Sequence, residues 1–180
     1  DIIITNGSQQ ALDILSAVLI DEGDKILIEK PSYLAALQVF HLYNPKINSV
    51  TLNHHGIDLQ ELTAYLEQKP KFFYAIPTFQ NPTGLTYDNE TRIALANLLK
   101  KTNTIFIEDN PYGDLRFNDE TFLPIYPLLK DQTILLGTFS KTVSPGMRIG
   151  WIACSNSYLK QKLLAYKQIV DLHTNIFGQM

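Results

Sequence analysis

Strand-sized apolar runs alternate with stretches of helical periodicity along all 180 residues, and this alternation narrows the fold more than any other feature. A chain that switches repeatedly between periods of about two and 3.6 residues stacks helices on a sheet, giving a layered α/β fold. Extended segments are predicted over residues 2–5, 25–28, 47–52, 72–76, 104–108, 133–136 and 149–154. Helices are predicted over residues 8–20, 33–43, 89–101 and 158–172, the first with Ala11, Leu12, Leu15, Val18 and Leu19 on one face. Gly23 and Asp24 turn the chain, and Asp58 is placed to cap a helix running to residue 66. Glu61, three residues on, completes an approximate capping box. The length suits one domain with a sizeable core, and no repeat, low-complexity tract or linker divides it.

In open α/β sheets, ligands gather beyond the carboxyl ends of the strands. The unusual motifs of this chain all fall at such strand exits. Lys141 follows the 133–136 run, with Thr138 three residues before it, Ser140 directly before it and Arg148 seven residues after it. An amine ringed by two hydroxyls and a guanidinium matches what pyridoxal phosphate needs: the lysine condenses with the aldehyde while the others hold the phosphate.

Four further exits offer matching parts, each with a plainer reading beside it. Gly7, Ser8 and Gln9 open the first helix and present free N–H groups, which suits a phosphate cradle and equally an ordinary helix cap. Tyr33, after Pro31 and Ser32, can stack on a planar ring or simply pack in the core. Gln80-Asn81-Pro82-Thr83-Gly84 is rich in turn formers, and Asn81 is also an amide able to donate to a phenolic oxygen. In Glu108-Asp109-Asn110-Pro111-Tyr112-Gly113-Asp114, a carboxylate can pair with a protonated pyridine nitrogen, keeping the ring cationic and electron-accepting. Asp109 suits this better than Glu108 because it stands nearer the strand's end. Tyr112 can donate to the ring's phenolic oxygen, and Asp114 reads equally as part of a capped turn.

Hydrophobic residues make up 45% and charged residues 18%, an ordinary globular balance, and a net charge of −3 gives no electrostatic case for nucleic acid as partner. No apolar run approaches the roughly 20 residues of a membrane span, and no signal-peptide pattern opens the chain, so cytoplasm is the expected compartment. Cys154 is the one cysteine, beside Trp151, Ile152 and Ala153, and reads as a buried strand thiol. His54 and His55 fall in a polar turn beside Gly56, and no metal-ligand spacing is present.

Taken together, these strings resemble the class I/II aminotransferases, pyridoxal-phosphate enzymes of fold type I. The match is closest to the branch holding the kynurenine, 2-aminoadipate and aromatic aminotransferases. The resemblance runs over essentially the whole chain and is most specific at Gly137-Thr138-Phe139-Ser140-Lys141 and Pro145-Gly146-Met147-Arg148. It implies a three-layer α/β/α domain with a mostly parallel mixed sheet. It also implies that Lys141 forms the cofactor Schiff base and then moves the α-proton. By the same resemblance, Asp109 pairs with the pyridine nitrogen, Asn81 and Tyr112 with O3′, and Tyr33 stacks on the ring. Ser8, Gln9, Thr138, Ser140 and Arg148 would bind the phosphate. The stretch Asp171-Leu172-His173-Thr174-Asn175 would lie near the substrate pocket and a homodimer interface. The implied reaction is ping-pong transfer of an amino group between an amino acid and a 2-oxo acid.

Family members are nearly twice this length, with an N-terminal segment and a smaller C-terminal domain that usually carries the arginine for the substrate α-carboxylate. Residues 1–180 therefore read as the large, cofactor-binding domain of a longer polypeptide, the more so because Asp1 enters a strand without a starting methionine. Regulators that join an aminotransferase-like effector domain to a winged-helix arm share the lysine motif. They usually lack the counterpart of Asn81, so Asn81 favours the enzyme. A carbon–sulfur lyase on the same fold is a further alternative.

Overall fold

The computed structural model describes residues 2–116 and 120–180. Its strands are β1 (Ile2–Thr5), β2 (Lys25–Lys30), β3 (Lys46–Asn53), β4 (Gly56–Ile57), β5 (Phe72–Ala75), β6 (Ile105–Asp109), β7 (Thr133–Thr138) and β8 (Gly150–Cys154). The helices are α1 (Gly7–Leu19), α2 (Leu34–His41), α3 (Leu59–Leu66), α4 (Asn89–Leu99), α5 (Tyr126–Leu129) and α6 (Ser157–Asp171). The strands form one sheet in the order β1-β8-β7-β6-β5-β2-β3-β4. Neighbours from β7 through β3 pair in parallel, whereas β8 is antiparallel to both β7 and β1, and β4 is antiparallel to β3. The result is the expected mostly parallel mixed sheet.

Successive strand side chains point to opposite faces, so each central strand feeds two cores. On one face Ile26, Ile28, Phe72, Tyr74, Ile107 and Ile134 meet Leu12 and Leu15 of α1, Phe40 of α2 and Leu163 of α6. On the other, Leu27, Val50, Phe73 and Phe106 meet Leu62 of α3, Leu95 and Leu99 of α4 and Leu129 of α5. Helices thus cover both faces, completing three layers. Phe40 packs edge-on against both Phe72 and Tyr74, with ring centroids 5.4 Å apart in each pair. Each such buried side chain contributes about 1.5–3 kcal/mol.

Local chemistry sets the helix starts. Asp58 accepts the N–H groups of Gln60 and Glu61, Asp88 that of Thr91, and Asn156 that of Leu159. The expected capping box at Asp58 is not closed. Asp58 N–H is taken by Thr51 O, and Glu61 accepts instead from Thr51 N–H at 2.7 Å, tying α3 to β3.

Two short elements depart from the sequence expectation. Gly56, predicted in a polar turn, is buried in β4 opposite Asn53, with Tyr87 and Thr91 pressed against it. Helix α5 forms across Tyr126 and Pro127, the proline sitting where a helix start tolerates it. His55 stays exposed but pairs with Asp88 at 2.9 Å. Cys154 is buried in β8 as predicted, and burial pushes its thiol pKa up. Among the described residues no helix is long and apolar enough to cross a membrane.

Candidate functional site

Strands β1, β2, β5, β6 and β7 all run in one direction, so their carboxyl ends share one edge of the sheet. β8 runs the other way, and its first residue, Gly150, stands at that same edge between Thr5 and Thr138. This topology alone gathers the loops bearing Ser8, Tyr33, Asn81, Asp109, Lys141 and Arg148.

The residues expected to bind phosphate gather around the start of α1. Its first residue, Gly7, has φ +79°, and a Cβ there would lie 2.6 Å from Arg148 Nη2. Gly150 has no side chain to hold α1 away; a Cβ would sit 2.6 Å from the Gly7 carbonyl carbon. Asn6 provides no side-chain cap, so the early N–H groups around the half-buried Ser8 and Gln9 donate no hydrogen bond to it. Arg148, itself at φ +52°, turns its guanidinium back across the edge. It donates to Ser140 Oγ and Pro145 O at 3.3 Å, and to Asn6 O at 3.4 Å. Thr138 Oγ1 accepts the Ser140 N–H at 3.2 Å and lies 3.1 Å from Ser140 Oγ. Helix N-terminus, two hydroxyls and a guanidinium thus converge, as an anion site requires.

Asp109, the last residue of β6, is 2% exposed. Its Oδ2 accepts from Tyr74 Oη at 2.6 Å, while Oδ1 is buried without a partner. Burial pushes its carboxyl up to about 6, against the Tyr74 hydrogen bond, which lowers it. Buried polar atoms without partners call for an explanation. Among the described residues four such side-chain atoms occur, and three of them, on Ser32, Asp109 and Asn110, belong to the exits of β2 and β6. Glu108 faces the opposite core, where it accepts from Ile125 N–H and Tyr126 N–H.

Tyr33 is half-buried just before α2 rather than within it. Burial raises its phenol pKa, and the nearby Asp109 and Tyr112 add to the effect. Lys141 is exposed, its Nζ 5.9 Å from the centroid of the Tyr112 ring. Asn81 is half-buried in the β5–α4 loop, and Asp114 is exposed.

Two supporting contacts were not foreseen from sequence. Tyr74 looks like a core aromatic in Phe72-Phe73-Tyr74, and only its place beside β6 reveals a carboxylate partner. Asp171, in a stretch expected near the substrate pocket, accepts from Asn6 Nδ2 at 2.8 Å, Gln10 Nε2 at 3.0 Å and Lys167 Nζ at 2.6 Å. It thereby fastens α6 to the loop that starts α1. A cavity of about 870 Å³ opens at the other edge of the sheet, between Leu19, Leu66, Leu98 and Ile105, and none of the site groups lines it.

Comparison with known proteins matches residues 1–174 to the family described as aminotransferase class I and II. An aromatic-amino-acid aminotransferase of Thermococcus litoralis is 44% identical over all of this chain and 45% of its own length. A 2-aminoadipate transaminase of Thermus thermophilus is 38% identical over all of this chain and 46% of its own. The crystal structure of a multiple substrate aminotransferase from Thermococcus profundus superposes with a TM-score of 0.93 at 40% identity, covering 99% of this chain and 46% of that one. A transcriptional regulator of the HTH type from Bacillus subtilis aligns with 84% of this chain at 38% identity. The chain spans less than half the length of the aminotransferases it matches.

Proposed function

The chain belongs to the class I and II aminotransferases, and from that membership we propose that residues 1–180 form the large domain that holds pyridoxal phosphate in a whole amino-transferring enzyme. Over a full cycle that enzyme converts an amino acid to its 2-oxo acid, and a second 2-oxo acid to an amino acid. The observation that carries the reading is Asp109: one carboxylate oxygen anchored by Tyr74, the other buried and unanswered. A protonated ring nitrogen is the kind of donor that oxygen lacks. The convergence of Arg148, Ser140, Thr138 and the α1 N-terminus, with room made by Gly7 and Gly150, fits the phosphate.

When bound, pyridoxal phosphate supplies an electron sink for the carbanion left at the substrate α-carbon. The residues of this chain would hold that group and set its electronics. Asp109 holds a proton on the ring nitrogen, and Asn81 and Tyr112 donate to the phenolic oxygen. Tyr33 stacks against the ring face. Lys141 would supply the amine that holds the cofactor covalently, and its Nζ would carry the substrate α-proton.

We take the assembled protein to be a cytoplasmic homodimer. The effector-domain reading is less favoured, because the regulator relative aligns over a smaller share of the chain than the aminotransferases do. The test is borohydride reduction of the full-length protein with added pyridoxal phosphate, followed by peptide mass mapping. A single adduct on Lys141 is expected. Scattered or absent labelling overturns the reading.

A further inference from the structure

Gln80 is 1% exposed and uses every hydrogen-bonding position of its side-chain amide. Its Nε2 donates to Glu29 Oε2 at 3.1 Å and to Pro31 O at 2.8 Å. Its Oε1 accepts from Thr83 N–H at 3.0 Å and from Thr83 Oγ1 at 2.7 Å. Two of these contacts cross about fifty residues of sequence, from the exit of β5 to that of β2. Glu29 is fully buried and is held at its other oxygen by Tyr87 Oη at 2.6 Å. The bridge therefore rests on a fixed post. On one side, two residues beyond Pro31, stands Tyr33; on the other, directly following Gln80, stands Asn81.

We infer that Gln80 is a positioning residue that sets the spacing between the loop carrying Tyr33 and the loop carrying Asn81. This inference rests on the proposed cofactor reading, in which those two side chains address the same ring from different directions. A buried amide with both donors and both acceptor positions engaged has one orientation. Any rotation would strand a polar group away from water, which costs about 1–3 kcal/mol. Burial pushes the Glu29 carboxyl up to about 7, against the Tyr87 and Gln80 hydrogen bonds, so its protonation state bears on the bridge. A protonated Glu29 can donate to the Tyr87 oxygen, a hydroxyl that also accepts, and so still accept from Gln80. The bridge survives either form. By the same logic Glu29→Gln preserves it, the new amide donating to Tyr87 and accepting from Gln80.

The test uses full-length protein freed of cofactor and measures three quantities: the dissociation constant of pyridoxal phosphate, that of inorganic phosphate, and the pH midpoint of the visible absorbance band. Gln80→Met is expected to weaken pyridoxal phosphate about tenfold and to shift the midpoint, since the loss of such a bridge is worth on the order of one to two hydrogen bonds. Inorganic phosphate binding should not change, because its proposed ligands lie on α1, at the end of β7 and in the β7–β8 loop. Glu29→Gln should match wild type. Thr83→Val, which removes the hydroxyl's bond to Gln80 and an exposed bond from Leu85 N–H, should show the same pattern at about threefold and covers the case in which Gln80→Met fails to fold. Wild-type cofactor affinity in Thr83→Val and in any folded Gln80→Met overturns the inference. So does an equal loss of phosphate binding in either variant, or a Glu29→Gln protein that has lost cofactor affinity. Failure of wild type to label at Lys141 is a different result and counts against the cofactor reading itself.

Discussion

The Tyr74 hydroxyl donates to Asp109 Oδ2 at 2.6 Å across two neighbouring parallel strands, with both side chains out of contact with water. The bond orients a carboxylate that burial would otherwise favour as a neutral acid, and leaves its second oxygen buried without a partner. Burial, followed by the Asp109 charge, raises the Tyr74 phenol well above its ordinary pKa, so Tyr74 remains a donor throughout the physiological range. The pair is a fixed acceptor built before any ligand arrives.

That acceptor carries a stability cost with a definite sign. The Asp109 carboxyl is raised from 3.8 to about 6 in the folded chain. Its contribution is therefore fully present below the unfolded value and is lost as pH rises through the folded one. In the cofactor-free protein, Asp109→Asn should gain stability relative to wild type between pH 4 and pH 8, by on the order of 3 kcal/mol at about 1.4 kcal/mol per unit. Urea unfolding of both proteins at the two pH values checks this. A constant difference between them would count against a buried, titrating Asp109.

Lys141→Ala should leave the fold intact, because the side chain is exposed and its Nζ stands 5.9 Å from the Tyr112 ring centroid. In the full-length protein the visible cofactor band should vanish, and turnover should fall by at least about 10²-fold, the lower range for losing a positioned proton carrier. Absorbance and steady-state rates decide it. An unchanged band would remove Lys141 from the site.

Arg92 is 1% exposed and ties down the loop that carries Asn81. It donates to Tyr87 O at 2.9 Å, Pro77 O at 2.7 Å, Thr78 Oγ1 at 2.8 Å and Leu123 O at 3.1 Å. Arg92→Met keeps most of the volume but takes the donor from the buried Tyr87 carbonyl and Thr78 hydroxyl, while Pro77 O keeps the Tyr87 N–H. A loss of about 3 kcal/mol is expected, with hydrogen exchange rising first at residues 77–87. Chemical denaturation and exchange mass spectrometry measure the two effects.

Asp171 and Lys167 are a partly buried pair, the lysine 5% exposed. Burial favours the neutral acid, but the Lys167 and Gln10 hydrogen bonds outweigh it and hold the Asp171 carboxyl below its ordinary pKa. Asp171→Leu alone strands the lysine and should cost about 3 kcal/mol. Adding Lys167→Met should restore much of that loss, a coupling that the four proteins of the double-mutant cycle reveal by their urea midpoints.

The fold was legible in the sequence wherever period and burial agree. The strand ending in Asp109 and the helix beginning beside Ser8 show both an unmixed apolar pattern and a punctuating polar exit. β4 was not legible, because two residues carry no period and Gly56 is buried by contact with Tyr87 and Thr91 rather than by its own hydrophobicity. Tyr33 read as the first turn of a helix, yet it precedes α2 in an extended conformation at its N-cap. The residues that back up the site were hidden for another reason. Tyr74, Glu29 and Arg92 sit in apolar surroundings where sequence offers no partner, and their partners come from other strands and loops. Register, not composition, discloses them.

The reversed direction of β8 also bears on how such a site can change. Lys141 and Arg148 hang on one continuous excursion, residues 139–149, that leaves at the end of β7 and returns at the start of β8. Its two feet are clamped to each other by one rung of the ladder, Thr138 opposite Gly150. An insertion within the excursion would separate amine from guanidinium without disturbing a single strand. The segment is thus a natural cassette: exchanged whole between homologous scaffolds it carries both groups in their mutual setting, and altered in length it dissociates them.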